Sequence, residues 1–389
     1  MPSTKIEGIF PLTFMQQILL VHSLYEAQDQ GQLEIKCTLN GRLNAKLFEQ
    51  AWQETIQLHP ALRSSLHWEN IEKPVQIVRP KAQMPWQHKD WCDLSASSQI
   101  KRLGELMKER QMEALEFSKA PVSRITLIKI SNSRHILLWS CHHILLDGWS
   151  AAVVLKDVFA YYDALCKGHS YQPDTVPSYQ SYLAWIRRQD IAAAETFWKN
   201  SLDGYKRPIL IGPANTSSNG ESAELENHVL VVSEEKTQQI QAYLRRKHVT
   251  LNTLVLALWG VLLGRLCDAD DVVFGTTVSG RSGDFPNMER MAGLFMNVLP
   301  VRLKLVPKQP IGEWLKSVQT QQFAARDLEH ISLGQITSWT NWPGHMPIFD
   351  SLVAVENYPW SNFAGGGVTV KEFEGGITTT YPVTMIVKP

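Results

Sequence analysis

The chain has 389 residues, of which 44% are hydrophobic and 20% are charged. These fractions are ordinary for a globular protein, and the length exceeds what one typical hydrophobic core fills, so we expect two lobes. The 38 Lys and Arg residues balance the 38 Asp and Glu residues, so no bulk charge attracts nucleic acid or an anionic membrane. The sequence also has no basic run with interleaved aromatic residues, and it therefore predicts no nucleic-acid partner.

The first half of the chain alternates helical and strand patterns. Residues 43–58 have the spacing of an amphipathic helix, which a His-Pro pair ends. Residues 122–130 and 135–142 are predicted to form two strands joined by a polar turn, and residues 149–165 a helix.

A segment with two prolines, residues 168–177, is the best linker candidate. We therefore expect an N-terminal lobe at residues 1–172 and a C-terminal lobe at residues 173–389. The predicted elements of the second half are a polar loop at residues 212–222, a helix from Asn252, a strand at residues 272–278 and a flexible glycine loop at residues 365–367.

The cysteines and the apolar stretches indicate a cytoplasmic protein that does not enter a membrane. The five cysteines are odd in number and lack metal-ligand spacing, which favours a reducing cytosol. Cys141 lies inside an apolar strand, which favours a small buried residue over a nucleophile. Residues 1–16 lack the apolar core of a signal sequence, and the most apolar stretch, residues 253–266, is too short to span a bilayer.

The most informative segment is His-His-Ile-Leu-Leu-Asp-Gly at residues 142–148, between a predicted strand and a predicted helix. A rigid strand aims a side chain and a loop gives access to it, which is typical of catalytic sites. Because neighbouring strand residues face opposite sides, His142 and His143 are expected to have different tasks. A cavity-facing neutral imidazole can accept a proton at pH 7, and helix N–H groups near Gly148 can stabilise an oxyanion.

The residues of this segment also permit other roles. Two histidines and Asp147 could bind a metal, but their alternating directions and the lack of a third histidine at ligand spacing argue against it, so we predict no metal site. Asp147 more naturally pairs with a distant arginine and fixes the loop. A purely structural role for the whole segment stays open.

Residues 142–148 resemble the active-site signature of the condensation domains of nonribosomal peptide synthetases. Further segments resemble motifs of that family in the same order along the chain: residues 11–17, 59–66, 179–185, 274–281, 293–302, 348–352 and 356–359. The resemblance covers nearly the whole chain. It implies an α/β fold of the α+β type, with two chloramphenicol-acetyltransferase-like lobes in a V-shaped pseudo-dimer and a tunnel between them. Family members usually run some dozens of residues beyond Pro389, so a truncated C-terminal end is expected.

The resemblance also implies an activity. It is peptide-bond formation between a donor acyl or peptidyl thioester and the amine of an acceptor aminoacyl thioester. Both substrates are held on phosphopantetheine arms of an upstream and a downstream carrier protein, so no cofactor is expected on this chain itself. Neighbouring synthetase domains are further expected partners. The alternatives are an acyltransferase that uses a free amine or alcohol and a non-catalytic carrier-docking module.

The family motifs assign roles to individual residues. His143 matches the catalytic position, where it accepts the amine proton or orients the amine; both roles stay open. His142 is expected to support the loop. Gly148 leaves room for the pantetheine arm and offers its N–H group.

Two arginines complete the expected site. The resemblance implies that Asp147 pairs with Arg281 behind the active loop, although the two lie far apart in sequence. Arg63 is a candidate for holding the wall of the first lobe, and an ordinary surface role for Arg63 stays open.

Overall fold

The computed structural model describes residues 5–25, 31–173, 175–211, 226–340, 342–343, 346–357, 363–376 and 381–389. The chain forms two compact units: unit 1 comprises residues 1–188, 284–295 and 358–380, and unit 2 comprises residues 189–283, 296–357 and 381–389. Both units mix helices with strands, which confirms the α/β class. The expected lobe boundary after residue 172 stays a prediction, and residues 173–188 belong to unit 1.

The helices and strands of the described residues have the following bounds. They are, in chain order, β1 (Gly8–Pro11), α1 (Phe14–Tyr25), β2 (Gln32–Asn40), α2 (Ala45–Leu58), β3 (Ser64–His67), β4 (Val75–Val78), β5 (Trp86–Asp90), α3 (Ala96–Met112), β6 (Ser123–Ser131), β7 (Arg134–His142), α4 (Gly148–Cys166), α5 (Tyr179–Ile186), α6 (Ile191–Leu202), α7 (Glu234–Lys247), α8 (Leu251–Leu266), β8 (Asp271–Val278), β9 (Asn297–Lys304), α9 (Ile311–Arg326), α10 (Leu333–Trp339), β10 (Ser351–Val355), β11 (Ala364–Gly365), β12 (Val368–Gly376) and β13 (Val383–Val387). Short 3-10 helices lie at Pro60–Arg63 and Met288–Arg290.

Unit 1 is built on a six-stranded sheet with the order β11-β12-β2-β7-β6-β5. Neighbouring strands are antiparallel except β5 and β6. The strand β12 comes from the far end of the chain, yet it pairs along the length of β2, with Phe373 opposite Cys37. A distant segment therefore completes the sheet that carries residues 142–148.

Both faces of this sheet are covered, as β7 illustrates. Leu137, Trp139 and Cys141 point into the main core with residues of α2 and α4. Leu138 packs on the opposite face with Ile128 and residues of α3. A strand buried on both faces needs apolar residues on both, which is why the middle of β7, residues 136–139, is an unbroken apolar run. The end of β7 is therefore fixed from both sides.

A second, smaller sheet in unit 1 has the order β1-β4-β3, with both pairings antiparallel. The central strand β4 alternates between half-buried and buried residues, and its buried positions are Gln76 and Val78. The helix α1 follows β1 directly in sequence.

Unit 2 contains a four-stranded sheet with the order β13-β10-β8-β9. The strand β10 is parallel to both β8 and β13, and β9 is antiparallel to β8. Val272 and Phe274 of β8 pack with Leu256 and Leu263 of α8 in its core.

Of the glycines predicted as a loop at residues 365–367, Gly365 belongs to β11 and the other two form a tight turn. Gly366 and Gly367 have φ angles of +56° and +77°, and they join β11 to β12 in an antiparallel hairpin. Residues that carry a Cβ rarely adopt a positive φ angle, so this turn requires glycine. The predicted polar loop at residues 212–222 lies outside the described residues from Gly212 onward, as do Tyr358 and Pro359 of the motif at residues 356–359.

Candidate active site

Residues 142–148 connect the last residue of β7 to the first residue of α4. Asp147 is the N-cap of α4, and its Oδ1 accepts a hydrogen bond from the Ser150 N–H at 2.7 Å. An Asp at this position satisfies an N–H group that would otherwise lack a partner, which typically contributes about 1 kcal/mol. Gly148 therefore starts the helix one residue before the predicted start.

The other carboxylate oxygen of Asp147 fixes a returning segment of unit 1. Oδ2 accepts from the Phe295 N–H at 3.0 Å, and the Asp147 N–H donates to the Gly293 carbonyl at 3.2 Å. Ser150 Oγ lies 2.7 Å from the Gly293 carbonyl and 3.0 Å from its N–H. The start of the motif at residues 293–302 is thus joined to the Asp147 loop, a contact that sequence reasoning missed.

His142 is held on every side of its ring. Nδ1 accepts from the Ile144 N–H at 3.0 Å, and Nε2 lies 3.1 Å from Ser23 Oγ. The Phe117 ring meets it edge-on at 4.7 Å. Since Nδ1 accepts, the neutral ring carries its proton on Nε2 and donates it to Ser23. These contacts support the prediction that His142 stabilises the loop.

The ring of His143 is buried like that of His142, but its two nitrogens are not tied to described side chains. The residue is 4% exposed, and among the described residues neither Nδ1 nor Nε2 has a hydrogen-bond partner. Burial lowers the pKa of His143 below 6.5, and the nearby charge of Asp147 opposes this only in part. Its ring is therefore neutral at pH 7, with one nitrogen able to accept a proton and the other able to donate one. Buried polar atoms without a partner are rare and often mark function.

Gly31 packs directly against His142, which gives the first testable prediction. A Cβ on Gly31 would lie 2.4 Å from Cε1 of the His142 ring. Because Ser23 and Phe117 hold that ring, Gly31→Ala is expected to destabilise the protein by about 1–3 kcal/mol in urea denaturation. Gly104→Ala is the control, since nothing lies within 4 Å of its added Cβ and helix α3 should gain about 0.5–1 kcal/mol. Equal stability of Gly31→Ala and wild type would contradict this packing.

Arg63 is buried, so a surface role for it is wrong. Its guanidinium pairs with Glu7 and donates to the carbonyls of Arg79 and Gln57. It therefore ties the residue before β1, the chain after β4 and the end of α2 together; the expectation that it holds a wall of the first lobe stays a prediction.

Arg281 lies in an irregular loop of unit 2 that follows β8. Glu329 holds this loop, because it accepts from the Gly280 N–H and from Ser282 Oγ, each at 2.9 Å. Burial raises the pKa of Glu329. No sequence motif pointed to Glu329. The expected pairing of Arg281 with Asp147 would join the two units and stays a prediction.

Alternative chemistries find little support in the described residues. No group of three or more His, Cys, Asp or Glu side chains among them could hold a metal ion. Cys141 is buried and its thiol pKa is raised by that burial, which argues against a nucleophile. Within the described part of the chain no single helix is long and apolar enough to cross a membrane, and only the bent pair α7 and α8 passes that test together.

The chain belongs to the condensation domain family, whose model matches residues 6–384. It is 36% identical over 390 residues to a linear gramicidin synthase of Brevibacillus parabrevis, covering 99% of this chain and 5% of that protein. It is 38% identical over 353 residues to chondramide synthase cmdD of Chondromyces crocatus, covering 90% of this chain and 9% of that protein. The chain thus spans less than a tenth of the length of either relative.

Solved condensation domains share the fold. The first condensation domain of the calcium-dependent antibiotic synthetase, in complex with a substrate analogue, matches with a TM-score of 0.81 and 17% identity, covering 98% of this chain and 88% of that one. A mutant starter condensation domain of rhizomide synthetase matches with a TM-score of 0.82 and 18% identity, covering 98% and 86%. The family expected from the motifs is therefore confirmed, and the solved condensation domains agree with the expected mixed α/β class.

Proposed function

We propose that this chain forms a peptide bond between a donor acyl or peptidyl thioester and the amine of an acceptor aminoacyl thioester. The observation that carries the proposal is the buried, neutral ring of His143, whose nitrogens are within hydrogen-bonding geometry of no described residue, just after a strand buried on both faces. Membership of the condensation domain family supports the same reaction.

The chemistry follows from the state of that ring. The acceptor amine attacks the donor thioester carbonyl, and the new C–N bond forms as the carbonyl becomes a tetrahedral oxyanion. The amine proton passes to His143, the C–S bond breaks, and the proton then neutralises the departing thiolate of the donor arm. A positioned base typically contributes about 10²–10⁴ in rate, and holding two reactants together contributes as much or more. His143 therefore acts as base, as positioning group, or as both.

The same proposal assigns the surroundings of the reaction. Two chloramphenicol-acetyltransferase-like lobes form a V-shaped pseudo-dimer with a tunnel, in which Asp147 pairs with Arg281 and Gly148 borders the pantetheine arm. Carrier proteins upstream and downstream supply both phosphopantetheine arms, and neighbouring synthetase domains deliver those carriers in the cytoplasm. Similarity to much longer synthetases supports these partners.

The form of the acceptor distinguishes the proposal from its alternatives. The wild-type chain is mixed with a donor-loaded carrier and either an acceptor-loaded carrier or the same amino acid free in solution, and the products are followed by intact-protein mass spectrometry. We expect the donor mass to move onto the acceptor carrier. If product forms with the free amino acid but not with the acceptor-loaded carrier, the chain is a free-amine acyltransferase. If the carriers bind but no donor mass is transferred, the chain is a docking module. Either result contradicts the proposal.

A further inference from the structure

A buried chain of polar side chains runs from the active loop to the small sheet of unit 1. Gln16 Nε2 donates to the Ile144 carbonyl and to Gln76 Oε1, each at 2.9 Å. Gln76 Nε2 donates to Ser64 Oγ at 2.8 Å, and Ser64 Oγ donates to the Pro60 carbonyl at 2.8 Å. Gln16, Gln76 and Ser64 are at most 4% exposed. Buried amides are costly without partners, so these bonds decide how the side chains orient.

The orientation of Gln16 is set by the start of helix α1. Its Oε1 accepts from the Thr13 N–H at 2.9 Å, while Thr13 Oγ1 accepts from the Gln16 N–H at 3.3 Å. This reciprocal pair is a capping box, and it occupies the amide oxygen of Gln16. The amide nitrogen must then point toward Ile144 and Gln76.

Gln76 accepts the second hydrogen bond that Gln16 Nε2 donates. It lies on the central strand β4 at an inward-facing position, between Phe10 of β1 and Leu66 of β3. An apolar residue is usual at such a position, so a fully buried Gln is informative. Because its own nitrogen donates to Ser64, its oxygen must face Gln16. The donor and the acceptor of each hydrogen bond in this side-chain network are thus determined.

Ile144 is tethered at both of its main-chain polar groups. Its N–H donates to His142 Nδ1, and its carbonyl accepts from Gln16. These two bonds hold the backbone of the residue that follows His143, and so they restrain the position from which the His143 ring extends.

We propose that Gln16 and Gln76 are positioning residues for His143, acting through Ile144. The inference rests on the proposed function for its kinetic consequences. Gln16 belongs to the opening motif of the chain, whereas Gln76 lies in no motif and extends the support of the site to the small sheet. Small displacements of a reacting group can cost large factors in rate, so the pair should affect turnover more than substrate binding.

The test compares Gln76→Leu, Gln16→Leu and the matched control Gln53→Leu. Gln53 also makes two side-chain hydrogen bonds in unit 1, both to the Met84 main chain, but it lies outside the network. We expect kcat of transfer between carriers to fall about tenfold or more in the two network variants, with KM within about twofold of wild type. Gln53→Leu should change kcat by less than about twofold at similar stability.

Two further readouts make the outcome decisive. The double variant should be no slower than Gln16→Leu alone, since both changes release the same tether. Amide hydrogen exchange at residues 143–146 should be faster in both network variants than in Gln53→Leu, whether or not the chain transfers donor. If wild type transfers nothing, the proposed function fails but exchange still tests the positioning. Unchanged exchange at residues 143–146, or a kcat for Gln76→Leu equal to that of Gln53→Leu, would overturn the inference.

Discussion

Replacing His143 by alanine is expected to lower kcat of condensation about 10²–10⁴-fold, the range typical for loss of a positioned base. The ring of His143 is neutral and makes no side-chain hydrogen bond to a described residue, so its removal chiefly deletes a proton acceptor. Stability should change little by comparison. Single-turnover rates with saturating loaded carriers measure the effect.

The control for this prediction is His135→Ala. His135 lies on the same strand, is also buried, and has a pKa lowered by burial, but it sits at the opposite end of β7. It should leave kcat within about twofold of wild type. Equal losses in the two variants would mean that the strand, rather than the His143 ring, matters.

The pH dependence of wild-type kcat gives a second view of His143. Burial lowers its pKa below the usual value of a histidine, so the neutral form of the ring predominates at pH 6.5. Turnover should therefore hold at pH 6.5 and decline only at lower pH, where the ring becomes protonated. A decline centred above pH 6.5 would contradict a base in this environment.

Asp147→Asn is expected to lower both stability and kcat, because it changes the geometry of the loop that carries His143. The side-chain oxygen that remains in this variant can still cap α4, but the new amide nitrogen then faces the Phe295 N–H, and two donors oppose each other. We expect a loss of about 1–3 kcal/mol in the free energy of unfolding, since a buried donor loses its partner. We also expect kcat to fall by about 10² because the loop beside His143 shifts.

Asp190→Asn is the control that distinguishes the effect of helix capping from the effect of the Asp147–Phe295 hydrogen bond. Asp190 is the N-cap of α6, where its Oδ1 accepts from the Ala193 N–H at 3.0 Å. Asn and Asp cap helices about equally well, so this variant should be near neutral in urea denaturation and in turnover. Equal stability of Asp147→Asn and Asp190→Asn would show that the bond to Phe295 contributes nothing.

The sequence predicts elements well where the signal is local. The amphipathic spacing of residues 43–58 anticipates α2 to within two residues, and β7 ends at His142 as predicted. The place of β12 beside β2 could not be predicted, because it depends on pairing between residues at opposite ends of the chain. The hairpin at Gly366 and Gly367 could not be predicted for the same reason, since a glycine run forms a hairpin turn only where two strands pair.

The candidate site divides along the same line. A short motif identifies His143 and Asp147 as candidates, and Gln16 falls inside the motif at residues 11–17. The hydrogen bonds between the Asp147 loop and Gly293 could not be predicted from the sequence, because Gly293 takes part through its main chain. Gln76 gave only a weak signal, namely a polar residue at an inward position of a strand too short to establish its own register.

Intact-protein mass spectrometry of a donor-loaded and an acceptor-loaded carrier, incubated with wild type and with His143→Ala, tests the central claim most directly. The account predicts that wild type moves the donor mass onto the acceptor carrier, and that the folded variant does so at least about 100-fold more slowly. Transfer at equal rates would contradict the role of His143, and no transfer by wild type would contradict condensation itself.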